Sequence, residues 1–199
     1  QSLRSIPRET LQRVISSLSK SAVDALRYDW QLFARDKQLP PPGNWRTWVP
    51  LAGRGWGKTR TGAEWVRHMV TEGGAKRVAL IAETQKDLED VMVFGDSGLA
   101  SVFPPAQAPR ITLKPLRVRF HNGAIALGYN ATAPDQLRGP QFDAAWCDEL
   151  AKWRYAQETW DMLQFGLRLG DNPRALVTTT PRAVKVLKDI LADPSTVHT

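Results

Sequence analysis

The sequence of 199 residues is poor in the residues that build disulfides and metal sites. It contains 1 cysteine and 3 histidines. A single cysteine, Cys147, excludes an intramolecular disulfide and a cysteine-based zinc cage. The histidines, at positions 68, 121 and 198, have no ligand-like spacing, so we expect no histidine metal site. A reducing, intracellular setting is the expectation for such a chain.

Long apolar runs are also missing. No stretch approaches the roughly 18 apolar residues that indicate a membrane-spanning helix, and the first residues do not form the apolar region of a secretion signal. We therefore expect a cytoplasmic protein that is not secreted and has no membrane partner. Hydrophobic residues make up 42% and charged residues 24% of the chain. These ordinary values exclude a wholly disordered, collagen-like or coiled-coil chain.

Acidic residues are absent from one long stretch. Residues 97–134 contain no Asp or Glu but carry Arg110, Lys114, Arg117 and Arg119. The whole chain has 27 Lys and Arg against 20 Asp and Glu, a formal net charge of +7. Such a charge suits a polyanionic partner, although a solvated basic surface has the same composition. The stretch could face DNA or an acidic subunit, or be a sheet edge protected by its charge.

Other basic residues are further candidates for a DNA contact. They lie on two predicted helices or directly before one of them: Arg60, Arg67, Arg182, Lys185 and Lys188.

Helix-like and strand-like patterns alternate along the chain. Apolar spacing predicts helices over residues 1–38, 60–71, 84–94, 156–169 and 183–191. It predicts strands over 48–52, 77–82, 144–147 and 175–179, and a hairpin of 117–120 with 124–129 around Asn122-Gly123. Pro50 counts against a regular strand over 48–52. The alternation predicts an α/β fold with a central, mostly parallel sheet flanked by helices, with a β-hairpin.

The length favours one main domain. We expect an N-terminal helical segment over residues 1–40, which ends at the break of Pro40-Pro41-Pro42-Gly43. Residues 41–192 form the predicted core. Residues 193–199 have the composition of the start of a linker.

A phosphate-binding loop is the sharpest motif. Residues 52–59 read Ala-Gly-Arg-Gly-Trp-Gly-Lys-Thr, which matches the P-loop template G-x-x-x-x-G-K-[ST] except for Ala at the first glycine. Glycines let backbone N–H groups converge on phosphate, and the following helix adds its positive end. Lys58 suits the β- and γ-phosphates, and the Thr59 hydroxyl suits Mg²⁺. The nucleotide contacts predicted here are Gly53, Arg54, Gly55, Trp56, Gly57, Lys58 and Thr59.

Two adjacent carboxylates follow a later apolar strand. Asp148 and Glu149 come directly after Ala144–Cys147, and the carboxyl ends of strands are where α/β sheets bind ligands. Asp148 is predicted to hold Mg²⁺, and Glu149 to polarise the attacking water. Cys147 is interpreted as a small buried apolar residue.

With these motifs the chain resembles the ATPase domain of phage terminase large subunits, the DNA-packaging motors, and their relatives in gene-transfer particles. The resemblance is carried by four motifs and covers about residues 28–192. They are GRGWGKTRTGAEW (53–65), LRG (137–139), WCDE (146–149) and TTTPR (178–182).

The resemblance implies a P-loop NTPase fold of the ASCE type, with ATP and Mg²⁺ as ligands and Glu149 as the additional catalytic glutamate. It implies that residues 1–40 lead into an adenine-side glutamine, matched in kind by Gln31. It also implies a coupling motif at Thr178–Thr180, with Thr179 near the nucleotide. These threonines could sense phosphate or could simply favour a strand, and the sequence does not separate the two.

Two arginines compete for the role of stabilising transition-state charge. Arg54 lies inside the P-loop and could act within its own subunit. Arg138 matches a position that resembles an arginine finger acting on a neighbouring subunit. We favour Arg138 as the finger and Arg54 as a local phosphate contact, with Lys58 and Glu149 completing the catalytic set.

The expected function is ATP hydrolysis that drives double-stranded DNA into a capsid. By resemblance, the implied partners are DNA, further copies in a ring on the portal vertex, the portal protein and the small terminase subunit. The linker would lead to a nuclease domain outside this chain, so we expect no DNA cleavage. The alternatives are a helicase-like or repair ATPase and an ATP-gated assembly module. A small-molecule kinase has no support.

Overall fold

A central sheet of eight strands positions every motif of the chain. The computed structural model describes residues 7–199. Its strands are β1 (Thr47–Val49), β2 (Arg77–Ala82), β3 (Arg110–Leu113), β4 (Leu116–Arg119), β5 (Ile125–Asn130), β6 (Ala144–Asp148), β7 (Arg174–Thr178) and β8 (Thr196–His198). Their order across the sheet is β3-β4-β5-β2-β6-β7-β1-β8.

Helices flank this sheet. They are α1 (Arg8–Ser17), α2 (Lys20–Leu26), α3 (Trp30–Phe33), α4 (Lys58–Thr71), α5 (Gln85–Asp87), α6 (Ala156–Gly166) and α7 (Lys185–Ala192). A π-helix, Leu88–Val93, continues α5 directly. None of the helices within residues 7–199 has both the length and the apolar character that a membrane span needs.

The strand directions confirm the predicted α/β class. All pairs among β5, β2, β6, β7, β1 and β8 are parallel, whereas β4 is antiparallel to both β3 and β5. The β4–β5 connection is the predicted hairpin, and Gly123 takes φ +86 in it. Parallel strands place their carboxyl ends at one edge of the sheet, which brings the ends of β1, β6 and β7 together.

Two apolar clusters cover the two faces of the sheet. One packs α4 against alternate residues of the strands, among them Val78, Leu80 and Trp146. The other packs α6 and α7 against the opposite face, through Ala79, Ile81 and their neighbours. Both faces of β2 and β6 are therefore buried, as the continuous apolar runs of these strands predict.

The N-terminal segment is not one helix. The prediction over 1–38 breaks into α1, α2, α3 and a 3₁₀ turn at Asp36–Gln38, and residues 1–6 lie outside the described part. Ser19 and Asp29 cause two of the breaks, because their side chains accept hydrogen bonds from Ala22 N and Gln31 N and start new helices.

Two predicted helices end or change where tertiary contacts intervene. Within 84–94, Thr84 caps α5 as expected, but the chain then widens into the π-helix, which buries Leu88 and Met92. The helix predicted to Leu169 ends at Gly166, because the backbone there pairs with Phe142. The strand predicted over 48–52 is also shorter: β1 ends before Pro50.

Two strands were not predicted. β3 pairs with β4 at one edge of the sheet, and β8 pairs with β1 at the other. The segment 193–199, expected as the start of a linker, thus contains an edge strand. Its Thr196, Val197 and His198 lie in register with Thr47, Trp48 and Val49, so the physical reason is pairing to a distant strand.

Gly62 offers a test of how α4 sits on the sheet. A Cβ at this position would overlap the indole ring of the buried Trp146. Gly62→Ala gains about 1 kcal/mol of helix propensity, but the clash costs about 1–3 kcal/mol or more. We expect net destabilisation in urea unfolding. Gly53→Ala is the control, because nothing lies within 4 Å of its added Cβ. Equal stability of the two variants would contradict this packing.

Candidate nucleotide-binding site

The P-loop connects β1 to α4 at the carboxyl edge of the sheet. Gly55 and Gly57 have φ of +74 and +89, which side chains rarely adopt. Among the described residues, Glu149 is the only non-glycine residue with positive φ. Ala52 therefore has an ordinary backbone conformation, and its departure from the template costs no strain. Its N–H donates to Thr179 O at 3.3 Å, which ties the loop to β7.

Lys58 begins α4 and turns back beneath the loop. Its Nζ donates to Ala52 O at 2.8 Å, to Gly53 O at 3.0 Å and to Thr180 Oγ1 at 3.2 Å. The same ammonium lies 3.3 Å from Glu149 Oε1. The sequence motif thus places its cation between the loop and the acidic pair.

Glu149 follows β6 in a left-handed conformation, with φ 53 and ψ 41. Its N–H donates to Thr178 O at 2.6 Å, which holds this conformation against β7. The carboxylate accepts from Thr180 Oγ1 at 3.1 Å and pairs with Lys152 at 3.4 Å. Partial burial raises the pKa of Glu149, but the charges of Lys58 and Lys152 outweigh it and lower the net value. The Glu149 carboxylate is therefore ionised, and Lys58, Thr180 and Lys152 fix its position.

Asp148 is the last residue of β6 and is buried. Thr178 Oγ1 donates to its Oδ1 at 2.7 Å and itself accepts from Trp146 Nε1 at 2.8 Å. Burial raises the pKa of Asp148 to about 6, although the hydrogen bond from Thr178 acts in the opposite direction. Cys147 is fully buried, as interpreted, and burial also raises the pKa of its thiol.

Thr180, which the sequence marked only as the end of the Thr178–Thr180 motif, meets the site, whereas the Thr179 side chain does not. The Thr179 hydroxyl accepts from Ala151 N at 3.1 Å and donates to Thr180 O at 3.3 Å, so the backbone occupies it. Thr180 instead contacts both Lys58 and Glu149. Strand alternation carries the signal that could have found it, because Thr178 and Thr180 share a face.

An open cleft of about 430 Å³ lies over the loop. Its lining joins the predicted nucleotide contacts to Glu149 and to residues that follow β2: Gly53 to Arg60, Asp90, Val91, Gly95, Asp96 and Ser97. Arg54 is exposed on this cleft. The predicted residues of the loop and Glu149 are thus brought to one place.

Arg138 and Gln31 are not brought to this cleft. Arg138 lies after β5, 70% exposed and paired with Asp135 at 3.0 Å. Three strands, β2, β6 and β7, separate β5 from β1. Gln31 is exposed on α3 and lines a different cavity, of about 610 Å³, beside Glu64 and His68.

Gln38 is the glutamine that contacts the P-loop. Its buried Nε2 donates to Trp56 O and to Thr61 Oγ1, both at 3.2 Å. Arg35 supports it, since its N–H donates to Gln38 Oε1 and its guanidinium donates to Trp56 O and lies 5.3 Å from the Trp56 ring. Gln38 was not predicted from the sequence. Its only local signal is its place directly before the rigid Leu39–Pro42 segment.

The residues suit Mg²⁺ with a partial protein ligand set. Thr59 lines the cleft at the start of α4. Asp148, at the end of β6, is buried and is not among the residues that line the cleft. Residues 7–199 hold no group of three or more His, Cys, Asp or Glu that could form a metal cage. Mg²⁺ fits this arrangement because it keeps waters and takes phosphate oxygens alongside one or two protein ligands.

The sheet order and the loop define the class: the chain has the P-loop NTPase fold of the ASCE type. Residues 49–198 match the family model described as "Terminase large subunit, T4likevirus-type, N-terminal". The chain belongs to this family and is similar to the ATPase domains of phage large terminases.

Solved structures agree on the fold. The Thermus phage P74-26 large terminase ATPase domain matches with TM-score 0.63 and 18% identity over 84% of this chain and 83% of that one. A single-residue mutant of the same domain matches with TM-score 0.57 and 18% identity over 79% and 77%. The large terminase of a thermophilic bacteriophage, in complex with ADP, matches with TM-score 0.59 and 15% identity over 88% and 44%. The search of curated protein sequences found no match.

Thr178 tests the geometry beneath the acidic pair. Thr178→Val keeps the volume but leaves the buried Trp146 N–H and Asp148 without this partner, which costs about 1–3 kcal/mol per unsatisfied group. We expect lower stability in urea unfolding followed by tryptophan fluorescence. Thr178→Ser, which keeps the hydroxyl, is the matched control. If valine and serine lose the same stability, the hydroxyl does not serve these two groups.

Proposed function

We propose that this domain hydrolyses ATP and uses the energy to drive double-stranded DNA into a capsid. One observation carries the proposal: the ionised carboxylate of Glu149 lies on the cleft above the P-loop, held by Lys58 and Thr180. A charged carboxylate beside a phosphate-binding loop is the arrangement that activates water next to a γ-phosphate. Membership of the terminase family supports DNA as the cargo.

The P-loop and α4 bind the nucleotide in this proposal. Backbone N–H groups of Gly53 to Gly57 surround the phosphates, and the N-terminal end of α4 points at them. Lys58 leaves the carbonyls that it now contacts and binds the β- and γ-phosphates. Thr59 and Asp148 would hold Mg²⁺, which neutralises phosphate charge when bound. The ADP named in the thermophilic bacteriophage structure supports a nucleotide in this fold.

Glu149 is the proposed general base. It accepts a proton from a water that attacks the γ-phosphorus in line with the departing ADP oxygen. Its lowered pKa keeps it ionised at neutral pH. Thr178 and Thr180 connect the acidic pair to the end of β7 by hydrogen bonds. Loss of the γ-phosphate would therefore change the contacts at the end of this strand.

Arg138 is the proposed finger, acting on a neighbouring subunit, and Arg54 is a local phosphate contact. Four strand spacings of about 4.8 Å separate β5 from β1, or about 19 Å. A finger on Arg138 therefore needs a second copy, and head-to-tail copies form a ring when the rotation between neighbours closes. The implied partners are the portal vertex, the portal protein and the small terminase subunit, in the cytoplasm of the producing cell.

Gln31 stays the predicted adenine contact, and Gln38 is assigned to holding the loop.

Glu149→Gln tests the base. Removing the carboxylate while keeping its shape is expected to lower ATP turnover by about 10²–10⁴-fold, because glutamine cannot accept the proton. Nucleotide binding, followed by fluorescence of a labelled ATP analogue, is expected to remain. The matched control is Glu158→Gln, an exposed residue of α6. Turnover by Glu149→Gln at the rate of the control would refute the assignment.

Mixing two inactive variants tests the finger. Arg138→Ala is expected to lose about 10³-fold or more in turnover. If the finger acts on a neighbour, adding the Glu149→Gln variant to the Arg138→Ala variant restores activity. The first variant then supplies its intact Arg138 to a site of the second variant, which still has Glu149. Arg54→Ala in place of Arg138→Ala is the comparison, because a residue acting in its own subunit is not rescued by mixing. Rescue of Arg54→Ala alone would reverse the two roles.

A further inference from the structure

Three arginines form one row across the sheet at its β3 edge. Arg77 of β2 lies in register with Ile125 of β5, which lies opposite Arg119 of β4. Arg119 in turn lies directly opposite Arg110 of β3. Residues in register on neighbouring strands point to the same face of a sheet. The three guanidinium groups therefore project from one face, in a line that crosses four strands.

Arg117 adds a fourth cation to this face. It lies two residues before Arg119 on β4, so the strand alternation places both on the same side. Burial raises the pKa of Tyr129, and the charges of Arg77 and Arg117 act against that rise. We call Arg77, Arg110, Arg117 and Arg119 the arginine face.

The arginine face is open to solvent. Its four side chains are all exposed. The apolar cluster on this side of the sheet extends to Leu127 and Tyr129 of β5, but within the described residues it includes no residue of β3 or β4. None of the four arginines forms an ion pair with a carboxylate in residues 7–199.

Other basic residues behave differently. Arg60 and Arg67 on α4 both pair with the buried Glu64, at 2.7 and 3.3 Å. Their charges serve the packing of α4. The contrast matters because Arg110 and Arg119 are like charges placed directly opposite each other, which destabilises a sheet. No acidic residue in 97–134 relieves this repulsion. A polyanionic ligand would relieve it.

The shape of the face suits a duplex. Three strand spacings of about 4.8 Å give the row a span of about 14 Å, comparable with the roughly 12 Å width of the DNA major groove. Guanidinium groups bind phosphate oxygens in pairs of hydrogen bonds. The flat face offers no helix to enter a groove, so its contacts would go to the backbone, which positions a duplex without reading its sequence.

We infer that the arginine face binds the phosphate backbone of double-stranded DNA. The choice of DNA over an acidic protein rests on the proposed packaging function. The location of the site rests on the strand register and exposure alone. Since DNA binding is measured without ATP turnover, the two proposals fail separately.

The experiment compares two triple variants that each lose three positive charges. Arg110→Gln/Arg117→Gln/Arg119→Gln removes most of the arginine face. The matched control, Arg13→Gln/Lys20→Gln/Arg168→Gln, removes three exposed charges from α1, from the start of α2 and from the segment after α6. Binding of a duplex without nucleotide is measured from about 50 to 200 mM salt. Each phosphate contact contributes about 0.9 to the slope of log K against log salt. The face variant is therefore expected to lose about 2.7 of slope and at least tenfold in low-salt affinity, and the control much less.

Stability and turnover keep the result interpretable. Because the variant removes like-charge repulsion, its midpoint of thermal unfolding is expected to stay level or rise, so weaker binding does not reflect unfolding. ATP turnover without DNA is expected to be unchanged. Equal losses of slope in both variants would show a general charge effect and overturn the inference. Unchanged DNA binding by the face variant would also overturn it, and would leave an acidic protein as the occupant of this face. If the face variant loses DNA binding but the unmodified chain shows no ATP turnover, the DNA-binding role of the arginine face is supported and the proposed motor function is refuted.

Discussion

The geometry of the site depends on hydrogen-bond and charge partners for one buried cation, the ammonium group of Lys58. Lys58 is only 8% exposed, and a buried ammonium without partners costs several kcal/mol. Its three donors are met by two carbonyls of the P-loop and by Thr180, and Glu149 supplies the opposite charge. One side chain thus fixes the loop after β1 against the ends of β6 and β7. The sheet order makes this possible, because β6, β7 and β1 are consecutive neighbours.

The same network has a consequence for the proposed reaction. Nucleotide phosphates compete with Glu149 and the loop carbonyls for Lys58, since one ammonium has only three hydrogens. Binding of ATP would therefore loosen Glu149 from Lys58 while Thr180 and Lys152 still hold it. In this scheme the base becomes available as the substrate arrives. Asp148 is different: it is buried, and its Oδ1 accepts a hydrogen bond from Thr178 and not from Lys58.

The sequence predicts those parts of the fold whose signals are local. Continuous apolar runs identified β2 and β6, Asn122-Gly123 identified the hairpin, and the glycine pattern identified the loop. β3 and β8 were missed because these edge strands have only four and three residues, and none of those residues is fully buried, so no apolar pattern marks them. Gln38 and the particular contacts of Thr180 were missed for another reason. Their contacts join residues that are 18 and 122 positions apart, and only the folded sheet brings these together.

The sheet also separates the two halves of the proposed motor. The P-loop follows β1, one strand from the β8 edge, whereas Arg138 and the arginine face belong to the β3–β5 side. A head-to-tail contact between copies would bring the Arg138 side of one subunit to the P-loop of the next. The DNA contacts of that subunit would then be close to the site that its own finger serves. Hydrolysis in one subunit would be linked to the DNA contacts of its neighbour, because a single rigid sheet carries both the arginine face and the finger.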